Sequence, residues 1–472
     1  MIFEDNVAKH ILICPKAKKR KRQEEQPYFL KDVNCGGHGD LITIPAISIS
    51  PSSTLHNEPG TSAWAQCIAR RVLRLHQSIF KGDNTCDVST ITCQDIHNAI
   101  EMKDLSRPEI NSGIQDGFTS HHVKSGGHHH TIQIASLIGH LRQMGFFKRS
   151  DDENVDAKKS ALANGTSNSS LSSKKSEPLV ILEMGAGRGM FGLTAAGVAS
   201  ASGANTHFLM VDRAGSRSKA EKAFRNKKKN DVGSYLKLDN VDWCRVCCDV
   251  SHVNLPVVLE DDTKYKEAKI VVIAKHLCGA GTDLALKSLI PIRHKIDACL
   301  IATCCHGVCD WKHYVGRDIL REVMEGGNRD EKDGSIPSFG SLEFDLIRRW
   351  SSATVASRDG KSKRNRAKME DTTNTPEDEG MEHTQIFDEN ENKTSATNIS
   401  AIVRELGLSC TIQGLGRACQ RLIDYGRSKY IHRNIFQTSD ERTIVNNLSQ
   451  YVDPEVTPQN AILWAYHKEK QK

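Results

Sequence analysis

Short apolar runs, each followed by polar residues, recur through the middle of the chain. They are LVILEM at 179–184, HFLMV at 207–211, RVCC at 245–248, IVVIA at 270–274 and DACLIA at 297–302. The segments between them are long enough for helices. Strands that are buried on both faces of a parallel sheet form continuous apolar runs rather than alternating ones. The pattern therefore predicts an α/β domain built on a parallel sheet.

The C-terminal part of the chain continues this domain. Helical spacing of apolar residues predicts helices over 399–407 and 414–433. Two further apolar runs, at 445–452 and 460–466, are separated by a turn that contains proline. Such a pair predicts an antiparallel hairpin at the end of the sheet.

The N-terminal part has helical patterns only. Apolar residues at helical spacing predict amphipathic helices over 62–81 and 130–145. His128, His129 and His130 lie at the start of the second helix and follow two glycines. A metal site is one interpretation of these histidines, and a solvated loop is the interpretation that we favour.

Two stretches contain too few apolar residues to bury a core, and we predict that they are disordered. They divide the chain into an N-terminal extension and an interrupted α/β domain. The predicted boundaries are 1–26 for a finger remnant with a basic segment, 27–148 for a helical extension, 149–177 for a disordered linker, 178–356 and 399–472 for the two parts of the domain, and 357–398 for a disordered insertion.

The first apolar run ends in a glycine-rich turn, LVILEMGAGRG, which carries Glu183, Gly185, Gly187 and Gly189. Glycine permits backbone conformations that other residues avoid and lets a ligand approach the main chain. A carboxylate in the turn suits a cationic amino-acid ligand better than a phosphate. The pattern resembles the first motif of class I (Rossmann-like) methyltransferases, which implies S-adenosylmethionine as the ligand. The alternative is a glycine turn without a ligand.

Polar residues follow the other strands as well. Ligands of open α/β sheets bind beyond the carboxyl ends of the strands. Glu183, Asp212, Asp249, Lys275 and His306 are therefore predicted to line one crevice. Asp212 is suitably placed to bind ribose hydroxyls. Asp212 and Asp249, each taken alone, also fit an ordinary turn at the end of a strand.

Composition adds less. The 472 residues, 38% hydrophobic and 26% charged, allow two to three domains. A net charge of +6 permits RNA binding without proving it. Fifteen cysteines without an apolar leader segment predict reduced thiols, and no apolar run is long enough to span a membrane. We expect a soluble protein of the cytoplasm or nucleus, and the sequence predicts nothing about its oligomeric state.

Five sequence blocks together resemble one family, the eukaryotic tRNA 2′-O-methyltransferases that modify nucleotide 4 of the acceptor stem. The resemblance covers most of the chain outside the two polar stretches. It implies tRNA as substrate, S-adenosylmethionine as cofactor and zinc fingers ahead of the catalytic domain. The blocks are PYFLKDVNCG at 27–36, QIASLIGHL at 133–141, KHLCGAGTDLAL at 275–286, CCHGVCDWKHYVG at 304–316 and GRACQRLIDYGR at 416–427.

The start of the chain departs from that family. His10 and Cys14 match the last two ligands of a CHHC finger, but Met1 falls after the expected position of the first two. A closed structural zinc site needs four ligands, so we expect no zinc at this remnant. The basic cluster at 16–22 is open to three interpretations: phosphate contacts, a nuclear import signal or a solvated tail.

Two further cysteine groups are candidate metal sites. Cys244 and Cys247 are placed on a strand, where residues three apart face opposite sides, so we reject that pair. The group at 304–309, CCHGVC, lies beside the predicted crevice. Its expected role is to shape the substrate pocket through small apolar thiols, and metal binding is the alternative.

The acceptor side of the crevice is predicted from the fourth and fifth strands. Lys275 and His276 occupy the position at which methyltransferases present acceptor-side residues, and no DPPY-like element for a base nitrogen occurs there. A lysine or histidine there suits a hydroxyl acceptor, as the base or as a cation that stabilises the alkoxide. His306 is the second candidate, and a structural or phosphate-holding role is the alternative for each residue.

Arginines in the last block, Arg417, Arg421 and Arg427, are candidates for contacts with the RNA backbone, although they do not form a single stripe. Two other functions stay open at this point. One is a methyltransferase of another acceptor, and the other is a non-catalytic RNA-binding protein with the same fold.

Overall fold

A computed structural model describes the protein over the residues 14–35, 62–105, 127–147, 178–214, 219–225, 238, 240–260, 265, 268–275, 277–326, 338–354, 397–436 and 442–469. His10, His276, the predicted linker 149–177 and nearly all of the predicted insertion 357–398 lie outside these ranges. Asn398, the last residue of the predicted insertion, is the N-cap of a helix and accepts hydrogen bonds from Ser400 N and Ala401 N.

Seven strands in the described residues form one mixed sheet with the order β3-β2-β1-β4-β5-β7-β6. Strands β1 to β5 are parallel, and β7 lies antiparallel to both β5 and β6. The predicted parallel sheet and terminal hairpin are therefore confirmed. The strands are β1 (Leu179–Met184), β2 (Thr206–Val211), β3 (Val241–Val246), β4 (Lys269–Ala274), β5 (Ile296–Ala302), β6 (Arg442–Gln450) and β7 (Ala461–Glu469).

Twelve α-helices are described around and beside the sheet. Those predicted over 62–81, 130–145, 399–407 and 414–433 are all present with shifted ends. The helices are α1 (Pro15–Glu24), α2 (Ala63–Lys81), α3 (Cys93–His97), α4 (Gly127–Gln143), α5 (Met190–Ala201), α6 (Lys219–Arg225), α7 (Leu255–Glu260), α8 (Ala280–Ser288), α9 (Arg317–Glu325), α10 (Ser341–Ser351), α11 (Ile399–Glu405) and α12 (Ile412–Tyr430). None of these described helices is both long and apolar enough to cross a bilayer.

Alternate residues of the central strands belong to different cores. Ile181 and Phe208 lie in a cluster that includes helices α4 and α5, whereas Val180 and Leu209 lie in a cluster on the opposite face. Side chains of a strand alternate between faces, so both faces of the sheet are covered. A third cluster joins α2 to α9, α10 and α12, which places α2 against the C-terminal helices of the α/β domain.

Strand β3 begins four residues before the predicted run and ends two residues before the end of that run. It spans Val241–Val246, and its exposure alternates along its length because it is the edge strand of the sheet. A half-exposed strand has no continuous apolar run, which explains the error. The earlier argument about Cys244 and Cys247 also fails, since only Cys244 lies on the strand.

Candidate functional site

The glycine turn after β1 has the unusual backbone that its sequence predicts. Gly185, Gly187 and Gly189 have φ angles of 64°, 49° and 68°. A side chain on Gly189 would lie only 2.9 Å from Ala220 Cβ, whereas one on Gly187 would meet nothing within 4 Å. The last glycine is therefore required by packing, and Gly187 faces open space that a ligand can enter.

Asp212 holds the same turn from the end of β2. Its Oδ2 accepts a hydrogen bond from Gly187 N at 2.8 Å, and its Oδ1 accepts one from Ala214 N at 2.7 Å. Asp249 caps the turn after β3 by accepting from Ser251 N and Ser251 Oγ. Both aspartates are thus turn formers, and each oxygen retains acceptor capacity for ligand hydroxyls.

A cavity of about 500 Å³ opens beside these two strand ends. Its volume lies within the usual range of small-molecule sites. Its lining includes Asp249 and Arg213 from the strand ends, and Lys16, Lys19 and Arg20 from helix α1. The basic cluster is therefore a helix placed over the strand ends.

Glu183 lies at the end of β1 and is only 3% exposed. Its Oε2 accepts a hydrogen bond from Gly192 N, in the first turn of α5, at 3.3 Å. Burial raises the pKa of this carboxyl to about 8, although the charges of Arg245 and Lys275 oppose the shift. The carboxyl therefore supports the helix that follows the glycine turn, and it gains from any cation placed beside it.

Lys275 follows β4 directly and is 7% exposed. Burial lowers the pKa of its ammonium to about 8, and the charges of Glu183 and Cys304 oppose the shift. Its Nζ lies 3.1 Å from His130 Nδ1, a partner that was not predicted. His129 and His130 belong to the first turn of α4, so the loop predicted for them is wrong.

Buried charges also connect α12 with the loop that follows β4. Arg427 donates to Asp283 Oδ2 at 2.7 Å, to Asp424 Oδ1 at 3.4 Å and to the carbonyl of Gly279 at 3.2 Å. The charged groups of Asp283, Asp424 and Arg427, called the ionic cluster below, have no solvent exposure. The cluster fixes the loop after β4 against the helix.

His306 extends this cluster rather than lining the crevice. Its Nε2 lies 2.9 Å from Asp424 Oδ2, and the ring is 2% exposed. Thr303 Oγ1 donates to the same carboxylate at 2.8 Å. The enclosed ring supports the structural alternative, in which His306 positions the loop after β5.

The sequence comparisons are consistent with this geometry. The model of the family described as Methyltransferase TRM13 matches residues 132–466 of this chain. The chain belongs to this methyltransferase family.

Curated relatives resemble almost the whole chain. A protein of Vanderwaltozyma polyspora named "tRNA:m(4)X modification enzyme TRM13" is 25% identical, covering 99% of this chain and 87% of its own length. A mouse protein named "tRNA:m(4)X modification enzyme TRM13 homolog" is 23% identical, covering 98% and 84%. The Saccharomyces cerevisiae enzyme of the same name as the first is 23% identical, covering 99% and 83%.

In this TRM13 family member, the structure contradicts the predicted phosphate clamp on α12 for two of its three arginines. Arg421 and Arg427 are 2% and 0% exposed, and Arg427 is held in the ionic cluster. A phosphate backbone does not reach enclosed guanidinium groups. Helix α12 packs against α2, α10 and the sheet, so residues that its sequence made look like a basic surface are interior. Arg417 is half-buried, and its predicted role stays a prediction.

Three of the five sequence blocks used for the resemblance meet in space. The blocks at 275–286, 304–316 and 416–427 supply Asp283, Cys309 and Arg427, and Cys309 Sγ accepts from Arg427 at 3.0 Å. The block at 27–36 lies along the loop after β3, where Leu30 N donates to the carbonyl of His252. Asn34 Nδ2 donates to the carbonyl of Val250. These two hydrogen bonds hold the segment after α1 against the loop after β3, so that α1 lies beside the cavity.

Sequence reasoning missed residues whose partners are distant in the chain. His130 and Lys275 are 145 residues apart, and Asp283 and Arg427 are 144 apart. The only available signal was that each falls inside a family-like block or directly before one. Cys14, the second residue of the predicted finger remnant, precedes helix α1, and its partner His10 lies outside the described residues.

Proposed function

We propose that this protein is an S-adenosylmethionine-dependent methyltransferase that 2′-O-methylates the ribose of nucleotide 4 in the acceptor stem of certain tRNAs. Membership of the methyltransferase family and the tRNA modification named for its relatives support the proposal. The parallel sheet with its terminal antiparallel hairpin is consistent with the class I (Rossmann-like) methyltransferase fold. The observation that carries it is an open glycine turn with a buried carboxylate beside a buried lysine.

The residues at the ends of β1 and β2 fit S-adenosylmethionine. Gly187 leaves open space for a ligand, and Asp212 has acceptor capacity for ribose hydroxyls. Burial makes the ionised form of the Glu183 carboxyl energetically costly. A cationic ligand offsets that cost, whereas a pyrophosphate would increase it. When bound, the cofactor supplies a methyl group on a positively charged sulfur, which an in-line nucleophile displaces.

Lys275 is the proposed group on the acceptor side. An ammonium whose pKa is about 8 is partly neutral near physiological pH. The neutral amine can take the proton of the ribose hydroxyl, and the ammonium can stabilise the alkoxide that forms. His130 Nδ1 restricts where Nζ points. His276 stays a candidate beside it, and His306 would act by positioning.

Helix α1 supports an RNA substrate. It exposes a run of lysines and arginines and buries no residue. Gln23 Nε2 donates to the carbonyl of Arg213, which directly follows Asp212, so the helix is fixed beside the proposed cofactor-binding turn. A basic helix at this rim would bind the phosphates of a nucleic acid. The proposed location is the cytoplasm or nucleus, where tRNA is found.

Transfer of a labelled methyl group from S-adenosylmethionine to total tRNA, with nuclease mapping of the product, tests the reaction. The expected product is a 2′-O-methyl ribose at nucleotide 4. Label in a base or in a protein would replace the acceptor, and the absence of transfer with bound tRNA would favour the non-catalytic alternative.

Gly187→Val tests the cofactor site separately. A side chain there enters the proposed ligand space, so calorimetry should show loss of S-adenosylmethionine binding. Gly203→Val is the matched control, because Gly203 also has a positive φ and open surroundings but follows the far end of α5. Equal affinity in the two variants would refute the assigned cofactor site.

A further inference from the structure

Three cysteine thiols converge at the carboxyl ends of β4 and β5. Cys278 lies in the loop after β4, and Cys304 and Cys305 lie in the loop after β5. Their three Sγ atoms are within 4.8 Å of one another, and those of Cys278 and Cys304 are 3.7 Å apart. No other His, Cys, Asp and Glu group within the described ranges meets the same geometric condition for a metal ion.

The backbone is arranged to bring these thiols together. The main chains of Cys278 and Cys304 pair in an isolated parallel bridge between the two loops. Cys305 has φ 48° and ψ 44°, a left-handed conformation that is uncommon outside glycine. Neighbouring side chains of an extended chain point to opposite faces, and this turn lets two consecutive thiols face the same point. Costly conformations of this kind persist where the surroundings impose them.

The set differs from the one that the sequence suggested. His306 faces Asp424, and Cys309 contacts Arg427, so both leave the predicted group at 304–309. Cys278, which is 26 residues before Cys304, takes their place. The predicted role in shaping a pocket through apolar thiols does not require three sulfur atoms to converge.

The spacing suits a soft divalent cation. A tetrahedral zinc ion with Zn–S bonds of about 2.3 Å places its sulfur ligands about 3.8 Å apart. Cys278 is exposed and the other two are half-buried, so solvent reaches the group. Sites with three protein ligands keep the fourth position for water or another exogenous ligand. Lys275 lies close enough to Cys304 for their charges to interact, which balances part of the negative charge of three thiolates.

We propose that Cys278, Cys304 and Cys305 bind one zinc ion through their thiolates, with the fourth position open to water or an oxygen ligand. On binding, each thiol gives its proton to solvent as its sulfur bonds to the metal. The ion joins the loop after β4 to the loop after β5 and thereby restricts the position of Lys275. The site itself does not depend on the proposed methyl transfer.

Metal analysis of the full chain tests the proposal. In a Cys14→Ser background, which removes the finger remnant, the protein should contain about one zinc per chain after dialysis. Adding Cys278→Ser or Cys304→Ser should lower this to a small fraction. Cys244→Ser, an exposed cysteine on β3, should leave it unchanged. Zinc well below one per chain in reduced protein, or equal zinc in all variants, would overturn the site.

A second measurement covers variants that fail to fold. Reduced, metal-depleted wild-type protein titrated with cobalt(II) should develop thiolate-to-cobalt charge-transfer absorption with an equimolar end point, and zinc should abolish it. Zinc should also protect three thiols from alkylation, identified by peptide mapping as these cysteines. Absence of the charge-transfer band, or protection of other cysteines, would contradict the proposal.

Discussion

Two regions of this protein contain buried charged groups, and they differ in how fully those groups are paired. In the ionic cluster, Arg427 has two carboxylate partners and two further acceptors, the Gly279 carbonyl and Cys309 Sγ. His306 and, to a smaller extent, Arg427 lower the pKa of Asp424 despite its burial. At the strand ends, Glu183 and Lys275 are buried almost as deeply with fewer hydrogen bonds. Burial moves both of their pKa values to about 8.

The difference separates groups that maintain structure from groups that are prepared for a ligand. Fully paired buried charges stay ionised, because their protein partners already stabilise them in the folded protein. The ionised form of a group with a shifted pKa is stabilised when a ligand of opposite charge binds beside it. Such groups are concentrated at functional sites. The comparison predicts that mutations in the first region affect stability and mutations in the second affect binding and rate.

The largest effect is expected in the ionic cluster. Arg427→Ala should lower the free energy of unfolding by about 3 to 5 kcal/mol, because two buried carboxylates lose their cation. Arg433→Ala removes an exposed arginine 3.9 Å from Glu322 and should cost below about 1 kcal/mol. Denaturant titration of both variants measures the contrast, and similar losses would remove the structural role of the cluster.

The next effect concerns the rate. Lys275→Met should slow single-turnover methyl transfer by about a hundredfold or more. Its stability should be unchanged or higher, since the cost of burying an ammonium disappears. Lys287→Met is the control, because burial also lowers the pKa of Lys287, on helix α8. A wild-type rate in Lys275→Met would exclude Lys275 as base or stabiliser.

A smaller effect concerns pH and cofactor binding. With a pKa near 8, Glu183 is mostly protonated in the ligand-free protein at pH 7, and a cationic ligand favours its ionised form. Binding should therefore release a proton, and affinity should rise by up to about tenfold per pH unit from pH 6 towards pH 8. Calorimetry in buffers of different ionisation enthalpy measures the release. Glu183→Gln should remove this contribution, and an unchanged proton release in that variant would refute it.

The smallest effect is expected on the exposed helix α1. Lys19→Ala should weaken tRNA binding modestly and reduce the slope of log affinity against log salt concentration by about one. Lys429→Ala, which removes an exposed lysine on α12, is the control and should leave the slope unchanged. Equal slopes for wild type and Lys19→Ala would argue that this lysine contacts no phosphate.

The sequence predicted the parts of the molecule that depend on local pattern. Strands β1, β2, β4 and β5 were found because both of their faces are buried, which leaves a continuous apolar run. The glycine turn was found because positive φ angles demand glycine. Lys275 was identified because residues after parallel strands share one edge of the sheet.

The remaining features depend on contacts that no local pattern records. Arg421 and Arg427 were predicted to be surface residues, since arginine is seldom fully buried and its partners are far away in sequence. His130 stood at the boundary between a solvated loop and the predicted helix, and no local pattern linked it to Lys275. Cys278 lies beside Cys304 because two loops pair with each other, and no local sequence pattern predicts that pairing.

The position of β7 has a consequence for how the chain is made. On the side away from β4, β5 pairs with β7, which is the last strand in the described sequence. β6 pairs with β7 and forms the edge of the sheet. During synthesis, the backbone N–H and C=O groups on one side of the apolar β5 therefore lack their β7 partners until about residue 469 has been added. Open edges of this kind pair with other chains, so the interval before β7 is complete is when aggregation competes most with folding. Slow translation of the hairpin would lengthen that interval.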